Sequence, residues 1–410
     1  IYVDFTLYFD YNLNRGGMMI KRVRYLKILD NYKDKPIIKI LTGLRRVGKS
    51  VLLDLFINEL VECNVKKDQI LKLNFELPTH FDIQDYKDLT NRVLSWSEGK
   101  TGKLYIFLDE VGRVRDWEKA VNGFHTMDKY DIYITGSNAD LLSSDLSTYL
   151  AGRFVEILVH PFSFKEFKQL KPNTNLKDYI TYGGMPSIAA FNYDYEISMN
   201  VLRDSFNSAV LQDVIQRNKI RNSVVLEKLI EYVFNNTGNT FSALSISKYF
   251  KSQRTSVSVD TILNYLNIIS NAFLIYKVRR NDLLGKLVLK TEEKYYIADH
   301  GIREAIVGNN EKVIEMILEN MVYVELLRRG YTVYIGKVNE KEVDFVAKKG
   351  KNIKYYQVSY LLETEITRNR EFGVYERIKD NFDKYVLSMD KIDFSQNGII
   401  HKNIEDFLLE

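Results

Sequence analysis

Cysteine is nearly absent from this 410-residue chain, in which Cys63 is the single example. One thiol cannot form a disulfide framework, and one cysteine with five histidines offers no Cys/His cluster for zinc. A chain built without disulfides is typical of a reducing compartment, so we expect a cytoplasmic protein.

Long apolar runs are also scarce, and neither positive nor negative charge dominates. No apolar stretch approaches the roughly 18 residues of a membrane-spanning helix. The opening stretch IYVDFTLYFDYNLN contains two aspartates, unlike a signal peptide, and we expect no membrane partner. The formal net charge is only +4, so any contact with nucleic acid must depend on a local patch.

The length and the 45% hydrophobic content are enough for roughly two to four domain cores. Periodic patterns begin only after Met18 and Met19. We expect residues 1–19 to be a non-native or disordered extension, with the natural start at one of these methionines. The alternative is an N-terminal strand packed on the first domain.

The stretch GLRRVGKS, residues 43–50, has the spacing G-x-x-x-x-G-K-[ST]. An apolar run precedes it and an apolar pattern of helical period follows, so the segment is predicted to be strand, glycine loop and helix. Such a loop points several N–H groups at one anion beside a helix N-terminus. Lys49 would reach the β- and γ-phosphates of ATP, and Ser50 would ligate Mg²⁺. The predicted nucleotide-binding residues here are Gly43, Arg45, Arg46, Val47, Gly48, Lys49, Ser50 and Val51. The alternative is an ordinary turn.

The segment KLYIFLDE, residues 103–110, is an apolar strand ending in two carboxylates. Fully apolar strands suit a parallel sheet covered on both faces, and such sheets bind ligands at the carboxyl ends of their strands. Asp109 is therefore predicted to bind the nucleotide and its Mg²⁺, and Glu110 to be the catalytic base that activates water. The alternative is an unremarkable strand end at the surface.

Three more strands are predicted at residues 70–75, 131–135 and 154–159. Ser137 and Asn138 follow the second of these and are candidates to contact the γ-phosphate, although Gly-Ser-Asn is also a plain loop signal. Arg153 precedes the last strand. It is a candidate catalytic residue that would stabilise γ-phosphate charge in its own chain or in a neighbouring subunit of an oligomer. The alternative, weighed equally, is that Arg153 only caps an element or forms an ion pair at the surface.

Residues 161–235 are predicted to be helical, with a break at YGGMP, and to form a lid. Residues 236–290 give helix, turn, helix and hairpin, which is a winged-helix arrangement. Its second helix would expose Asp260, Asn264 and Asn267 rather than cations. The basic residues of the hairpin, which make duplex DNA a candidate partner through phosphate contacts, are Lys277, Arg279, Arg280, Lys286 and Lys290. A protein partner is the favoured alternative.

Residues 291–410 alternate strands with carboxylates, as metal-dependent nucleases do. In that constellation a helix Glu, a strand Asp and an E-x-K or Q-x-K pair gather metal ions and activate water. Glu319, Asp344 and Gln357 fill the first three places, but Ser359 stands where the lysine belongs. We therefore expect a retained scaffold that binds a partner rather than active cleavage.

Taken together, these residues resemble the bacterial and archaeal P-loop ATPases that join an AAA-type ATPase domain to a C-terminal DUF4143 domain. The resemblance spans about residues 20–408. Its signatures are TGLRRVGKSVLL, IFLDEV, TGSNADLL, AGRFVEILVHPFSFKEF, YGGMP, DVIQRNKI, KYYIADHGIR, EVDFVAKK and QVSYLL followed by REF. It implies binding of ATP with slow hydrolysis, and a C-terminal domain similar in fold to restriction-endonuclease-like nucleases.

The predicted fold class is α/β, with a P-loop NTPase parallel sheet. The predicted domains are the ATPase domain (20–160), the helical lid (161–235), the winged helix (236–290) and the restriction-endonuclease-like domain (291–410). The first hypothesis for function is a Mg²⁺-dependent ATPase acting as a switch. The alternatives are an ATP-licensed DNA-binding or DNA-processing protein and a nucleotide-gated module for protein interaction.

Overall fold

The computed structural model describes residues 20–137, 150, 152–220, 222–283 and 287–410, without the side chains of 212 and 287–292. The predicted extension 1–19, Asn138, Lys286 and the side chain of Lys290 lie outside this description. Two compact units are present. The first ends at Val159 and includes Asn271–Phe273, and the second comprises His160–Ser270 and Leu274–Glu410.

The first unit contains a sheet of five strands in the order β2-β3-β4-β1-β5, and every neighbouring pair is parallel. All residues of β1, β3 and β4 are buried, as expected for strands covered on both faces. The sequence prediction is confirmed to within one residue at each strand end. The strands are β1 (Ile38–Thr42), β2 (Ile70–Asn74), β3 (Leu104–Asp109), β4 (Tyr130–Thr135) and β5 (Phe154–Leu158).

Amphipathic helices accompany this sheet. The buried face of the third and fourth helices joins the strands in one apolar core that includes Leu89, Val93 and Phe124. Each side chain of this size contributes about 1.5–3 kcal/mol when it is fully buried. Asp85 caps the third helix by accepting hydrogen bonds from the N–H groups of Lys87 and Asp88. The helices are α1 (Val23–Tyr32), α2 (Lys49–Glu62), α3 (Tyr86–Ser97) and α4 (Trp117–Thr126).

The second unit begins with helices, as the sequence predicts for residues 161–235. The break at YGGMP follows the second of them, where the Gly184 N–H donates a 2.7 Å hydrogen bond to Asp299. A π-helical segment, Val210–Gln216, directly follows the third. The helices of this unit are α5 (Phe164–Leu170), α6 (Leu176–Tyr182), α7 (Tyr195–Ala209), α8 (Ser223–Asn235), α9 (Ala243–Ser252), α10 (Val259–Asn271), α11 (His300–Ile306), α12 (Ile314–Arg328), α13 (Glu365–Gly373) and α14 (Ile404–Leu409).

One sheet of eight strands runs through the second unit in the order β13-β12-β11-β10-β9-β7-β8-β6. The hairpin of β7 and β8 joins it through parallel pairing of β7 with β9. The hairpin assigned to a winged helix therefore shares a sheet with the C-terminal strands. Strand β8 also crosses residue 290, the predicted boundary between the winged-helix domain and the C-terminal domain. The strands are β6 (Thr240–Phe241), β7 (Ile275–Asp282), β8 (Leu287–Ile297), β9 (Thr332–Val338), β10 (Lys341–Lys349), β11 (Asn352–Val358), β12 (Asp383–Ser388) and β13 (Ile400–Asn403).

The winged-helix and restriction-endonuclease-like assignments stay predictions. Within the residues described, no helix combines the length and the apolar character needed to cross a membrane.

Candidate functional site

The phosphate loop lies between β1 and α2, where the predicted glycines are required by backbone geometry. Gly43 has φ 136°, and a Cβ atom there would lie 2.3 Å from the Val159 carbonyl oxygen. Gly48 caps α2 with φ 88°. Because residues other than glycine rarely adopt these backbone angles, both positions need glycine. The loop thus turns tightly into the N-terminus of α2, which is the geometry that binds anions.

Lys49 folds back across the loop and is buried, with 4% of its surface exposed. Its ammonium donates hydrogen bonds to the carbonyl oxygens of Gly43 at 2.9 Å and Leu44 at 3.2 Å. The Nζ atom lies 3.9 Å from the Glu110 Oε1 atom. The structure therefore brings the predicted phosphate-binding cation and the predicted base together.

Asp109 ends β3 and accepts hydrogen bonds from three neighbouring elements. Oδ1 accepts from the Ser50 hydroxyl at 2.9 Å and from the Thr135 hydroxyl at 2.6 Å. Oδ2 accepts from the Asn74 amide at 3.1 Å. A carboxylate beside a hydroxyl is the set of oxygen donors that Mg²⁺ prefers, so Ser50 and Asp109 fit the metal predicted for them.

Glu110 adopts the left-handed conformation, with φ 55° and ψ 47°. This conformation costs of order 1–3 kcal/mol in a residue other than glycine and concentrates at functional sites. The Glu110 N–H donates a 2.8 Å hydrogen bond to the Thr135 hydroxyl, which helps to hold it.

The electrostatics of Glu110 suit a base. Burial raises the pKa of its carboxyl, and Lys49 opposes that rise. The charges of Asp109 and Glu76 raise the pKa further, whereas Arg45 lowers it. A carboxylate whose pKa is moved up toward neutrality accepts a proton more readily.

Two residues of the site, Thr135 and Asn74, are not among those predicted from the sequence. Both are polar residues that end strands beside β3, and Asn74 pairs directly with Asp109 in the sheet register. That position at the carboxyl ends of neighbouring strands is the signal that finds them. Ser137 is buried beyond the end of β4, and its predicted contact with the nucleotide stays a prediction.

The remaining loop residues differ in exposure. Arg45 is partly buried and lies 3.1 Å from Glu76, whereas Arg46 is exposed with φ 66°. Val47 is buried, and its carbonyl accepts a 3.2 Å hydrogen bond from buried Arg22, another residue that the sequence analysis missed. The side chain of the last predicted loop residue points to solvent, since Val51 is 46% exposed.

The structure does not bring Arg153 to this site. It precedes β5, whose first residue pairs with Ile38 at the start of β1, whereas the phosphate loop follows the other end of β1. At about 3.3 Å per residue, the length of β1 separates them. The exposed Arg153 side chain instead donates to Asn122 of α4. A role within its own site is not supported, and a role in a neighbouring subunit stays a prediction.

The predicted nuclease-like residues do meet in the second unit. The Asp344 N–H donates a 3.2 Å hydrogen bond to Gln357 Oε1, and Asp344 accepts one from the Val358 N–H at 2.8 Å. Burial raises the pKa of Asp344 well above its usual value, and the Glu319 charge adds to the rise. Ser359 is buried, and its hydroxyl donates to the Leu361 carbonyl.

Lys294 of β8 lies among these carboxylates. Its Nζ atom is 3.2 Å from Glu319 and also forms an ion pair with Glu342. Burial alone would lower the pKa of Lys294, but Glu319, Glu342 and Asp344 outweigh it and raise the pKa. We call Lys294 with these three carboxylates the acidic cluster. Among the described residues, no group of three or more His, Cys, Asp or Glu side chains is arranged to hold a metal.

Among the described residues of the basic hairpin, Arg280 differs from its prediction. Arg280 is 9% exposed and lies 3.1 Å from Glu342, so its charge is balanced inside the unit instead of on the surface. Lys277 pairs with Glu293 at 2.7 Å, and Arg279 is exposed. On α10 the three residues predicted to be exposed are so, namely Asp260, Asn264 and Asn267.

Comparison with known protein families agrees with the P-loop ATPase fold predicted for the first unit. The family described as an AAA domain matches residues 35–168, so the chain carries a P-loop ATPase domain of the AAA type. A domain of unknown function, DUF8612, matches residues 173–313. The DUF4143 resemblance is therefore not confirmed.

Two curated relatives define the family. An uncharacterised protein of Haemophilus influenzae is 38% identical over 379 residues, which are 90% of this chain and 93% of that protein. The uncharacterised protein MJ1544 of Methanocaldococcus jannaschii is 30% identical over 416 residues, covering 96% of this chain and 87% of that protein. The chain belongs to one family with these two proteins.

Solved structures are more distant. The Walker-type ATPase paby2304 of Pyrococcus abyssi superposes with a TM-score of 0.49 at 15% identity, covering 71% of this chain and 97% of that chain. AMPPCP-bound DnaA from Aquifex aeolicus gives a TM-score of 0.30 at 13% identity, covering 62% of this chain and 90% of the DnaA chain. Superpositions this loose add nothing to the family match.

Proposed function

We propose that this protein is a Mg²⁺-dependent ATPase that acts as a nucleotide-controlled switch. One observation carries the proposal. At the end of β3, Asp109 accepts a hydrogen bond from the Ser50 hydroxyl, while the carboxylate of the neighbouring Glu110 lies 3.9 Å from the Lys49 ammonium. A cation for phosphate, oxygen ligands for a metal and a base for water thus converge on the phosphate loop.

Each group has a role in hydrolysis. The loop N–H groups and Lys49 would bind the triphosphate. Ser50 and Asp109 would hold Mg²⁺, which would neutralise phosphate charge. Glu110 accepts the proton of a water molecule whose oxygen bonds to the γ-phosphorus as the bond to the β-phosphate oxygen breaks. ADP and phosphate are the products, and turnover is expected to be slow.

The Glu110→Gln variant tests this role. It keeps the size of the side chain but cannot take a proton, so ATP turnover should fall about 10²- to 10⁴-fold while ATP binding persists. The measurement is phosphate release, with ATP affinity measured in parallel. Unchanged turnover would remove Glu110 as the base.

A second candidate function is an ATP-licensed protein that binds or processes DNA. The exposed Arg279 on the hairpin favours it. Duplex DNA should then stimulate ATP turnover and be retained in a salt-dependent manner, and Arg279→Ala should weaken retention. No retention at low salt would eliminate this function. Nuclease activity is not expected, because Ser359 stands at the lysine position and the nearby ammonium of Lys294 is paired with Glu319 and Glu342.

A third candidate is a nucleotide-gated module for protein interaction. The weakly charged exposed face of α10, with Asp260, Asn264 and Asn267, favours it over DNA. A partner that co-purifies only with the ATP-loaded protein would support it.

In the nucleotide-controlled switch that we propose first, residues 161–235 would serve as the lid, 236–290 as a winged helix and 291–410 as the restriction-endonuclease-like scaffold. Ser137 would contact the nucleotide, and Arg153 would act across an oligomer.

A further inference from the structure

Glu76 joins two arginines from the two motifs of the candidate site. Its Oε1 atom lies 3.1 Å from Arg45 Nη2, in the phosphate loop, and 2.8 Å from Arg113 Nη2, in the turn that follows Glu110. The Glu76 N–H is anchored on the Asn74 side chain at 2.9 Å. One carboxylate oxygen therefore holds two guanidinium groups together.

Chain position places these groups beside the candidate site. Arg45 belongs to the phosphate loop itself, and Arg113 lies in the turn three residues after Glu110, the predicted base. Because both guanidinium groups reach the same Glu76 oxygen, Arg113 is held beside the loop that would bind the triphosphate.

The ion pairs on Glu76 are weak enough to exchange. The Glu76 side chain is 41% exposed and that of Arg113 is 51% exposed, and pairs of this kind contribute little to stability. A terminal phosphate carries more charge than one carboxylate, and its three oxygens accept paired hydrogen bonds from guanidinium groups. We expect phosphate to displace Glu76 from the arginines.

We propose that Arg113, together with Arg45, binds the terminal phosphate of ATP in the same chain, and that Glu76 is the positioning residue that holds both until the nucleotide arrives. This inference rests on the proposed ATPase function. It gives Arg113 the task of balancing γ-phosphate charge that the sequence analysis gave to Arg153.

Arg115 supplies a matched control. It stands two positions further along and is 74% exposed, with its guanidinium 3.7 Å from Asp85. The Arg115 backbone N–H donates a hydrogen bond to the Gln84 carbonyl oxygen, and the Arg115 carbonyl oxygen accepts one from the Tyr86 N–H. Removing this side chain deletes the same charge nearby without touching Glu76.

The experiment titrates Mg²⁺-ATP and Mg²⁺-ADP onto the full-length wild type and the Arg113→Ala, Arg115→Ala and Glu76→Gln variants. Arg113→Ala should weaken ATP binding about tenfold, equivalent to about 1.4 kcal/mol, and change ADP binding less than about twofold. Arg115→Ala should change neither. Glu76→Gln should tighten ATP binding a few-fold, because the competing carboxylate is gone.

The outcomes separate this inference from the function on which it rests. A wild type that binds no ATP would overturn both. A wild type that binds ATP while Arg113→Ala behaves like Arg115→Ala, or loses ATP and ADP equally, overturns the inference alone. Thermal unfolding shows whether each variant is folded. Should Arg113→Ala fail to fold, Glu76→Gln decides: tighter ATP binding supports the inference, and unchanged or weaker binding overturns it.

Discussion

The phosphate-loop site and the acidic cluster are built from the same residue types. Each sets a buried lysine against carboxylates. In the first, Lys49 donates to two neutral carbonyl oxygens and lies 3.9 Å from Glu110. In the second, Lys294 lies between Glu319 and Glu342.

The two lysines differ in the groups that surround the ammonium, and from this difference we expect only Lys49 to bind a ligand. Carbonyl oxygens orient an ammonium group without cancelling its charge, which keeps a site suited to phosphate. Carboxylates cancel the charge, and removing one member of such a buried set leaves the rest uncompensated. We therefore interpret Lys49 as a ligand-binding residue and Lys294 as a structural counter-ion.

Replacing Lys294 by Met should have the largest effect on stability. The change leaves Glu319 without its ammonium partner and Glu342 with Arg280 alone, so the free energy of unfolding should fall by about 3–5 kcal/mol. Lys277→Met on the neighbouring strand is the control, because the Lys277–Glu293 pair is more exposed and should cost about 0–1 kcal/mol. Urea denaturation measures both. Equal losses would contradict the interpretation of Lys294.

Replacing Thr135 by Val should have a smaller effect, confined to the phosphate-loop site. It removes the hydroxyl between Asp109 and the Glu110 N–H, which should cost about 1–3 kcal/mol of unfolding free energy and lower ATP turnover. Thr135→Ser keeps the hydroxyl and should restore both. Failure of Ser to do better than Val would mean that the methyl group matters and the hydrogen bonds do not.

The smallest expected effect is a shift in the pH dependence of turnover. Since burial raises the pKa of Glu110, activity should fall as pH drops through that raised pKa and the base becomes protonated. The charge of Glu76 raises the pKa further, so Glu76→Gln should move the acid limb to lower pH. The measurement is kcat/KM against pH. A limb that moves to higher pH contradicts the assignment of the base.

The sequence predicted the first sheet well, because apolar runs bounded by turns determine where buried parallel strands begin and end. It also predicted the meeting of Lys49, Ser50 and Asp109, since the spacing of the loop fixes two of them and the end of β3 the third.

What the sequence could not supply depends on register and strand order. Asn74 and Thr135 reach Asp109 only because their strands lie on either side of β3. Arg153 is a candidate because it precedes the last predicted strand, but β5 runs parallel to β1, so Arg153 lies at the ends of these strands away from the phosphate loop. Lys294 enters the acidic cluster from β8, a strand outside the nuclease-like pattern.

Titration of Mg²⁺-ATP onto the wild type and the Lys49→Ala variant tests the central claim most directly. The wild type should bind, and the variant should lose ten- to a hundredfold or more in affinity, about the value of a hydrogen bond to a charged group. ATP bound equally well by both proteins would contradict the assignment of this loop as the nucleotide site.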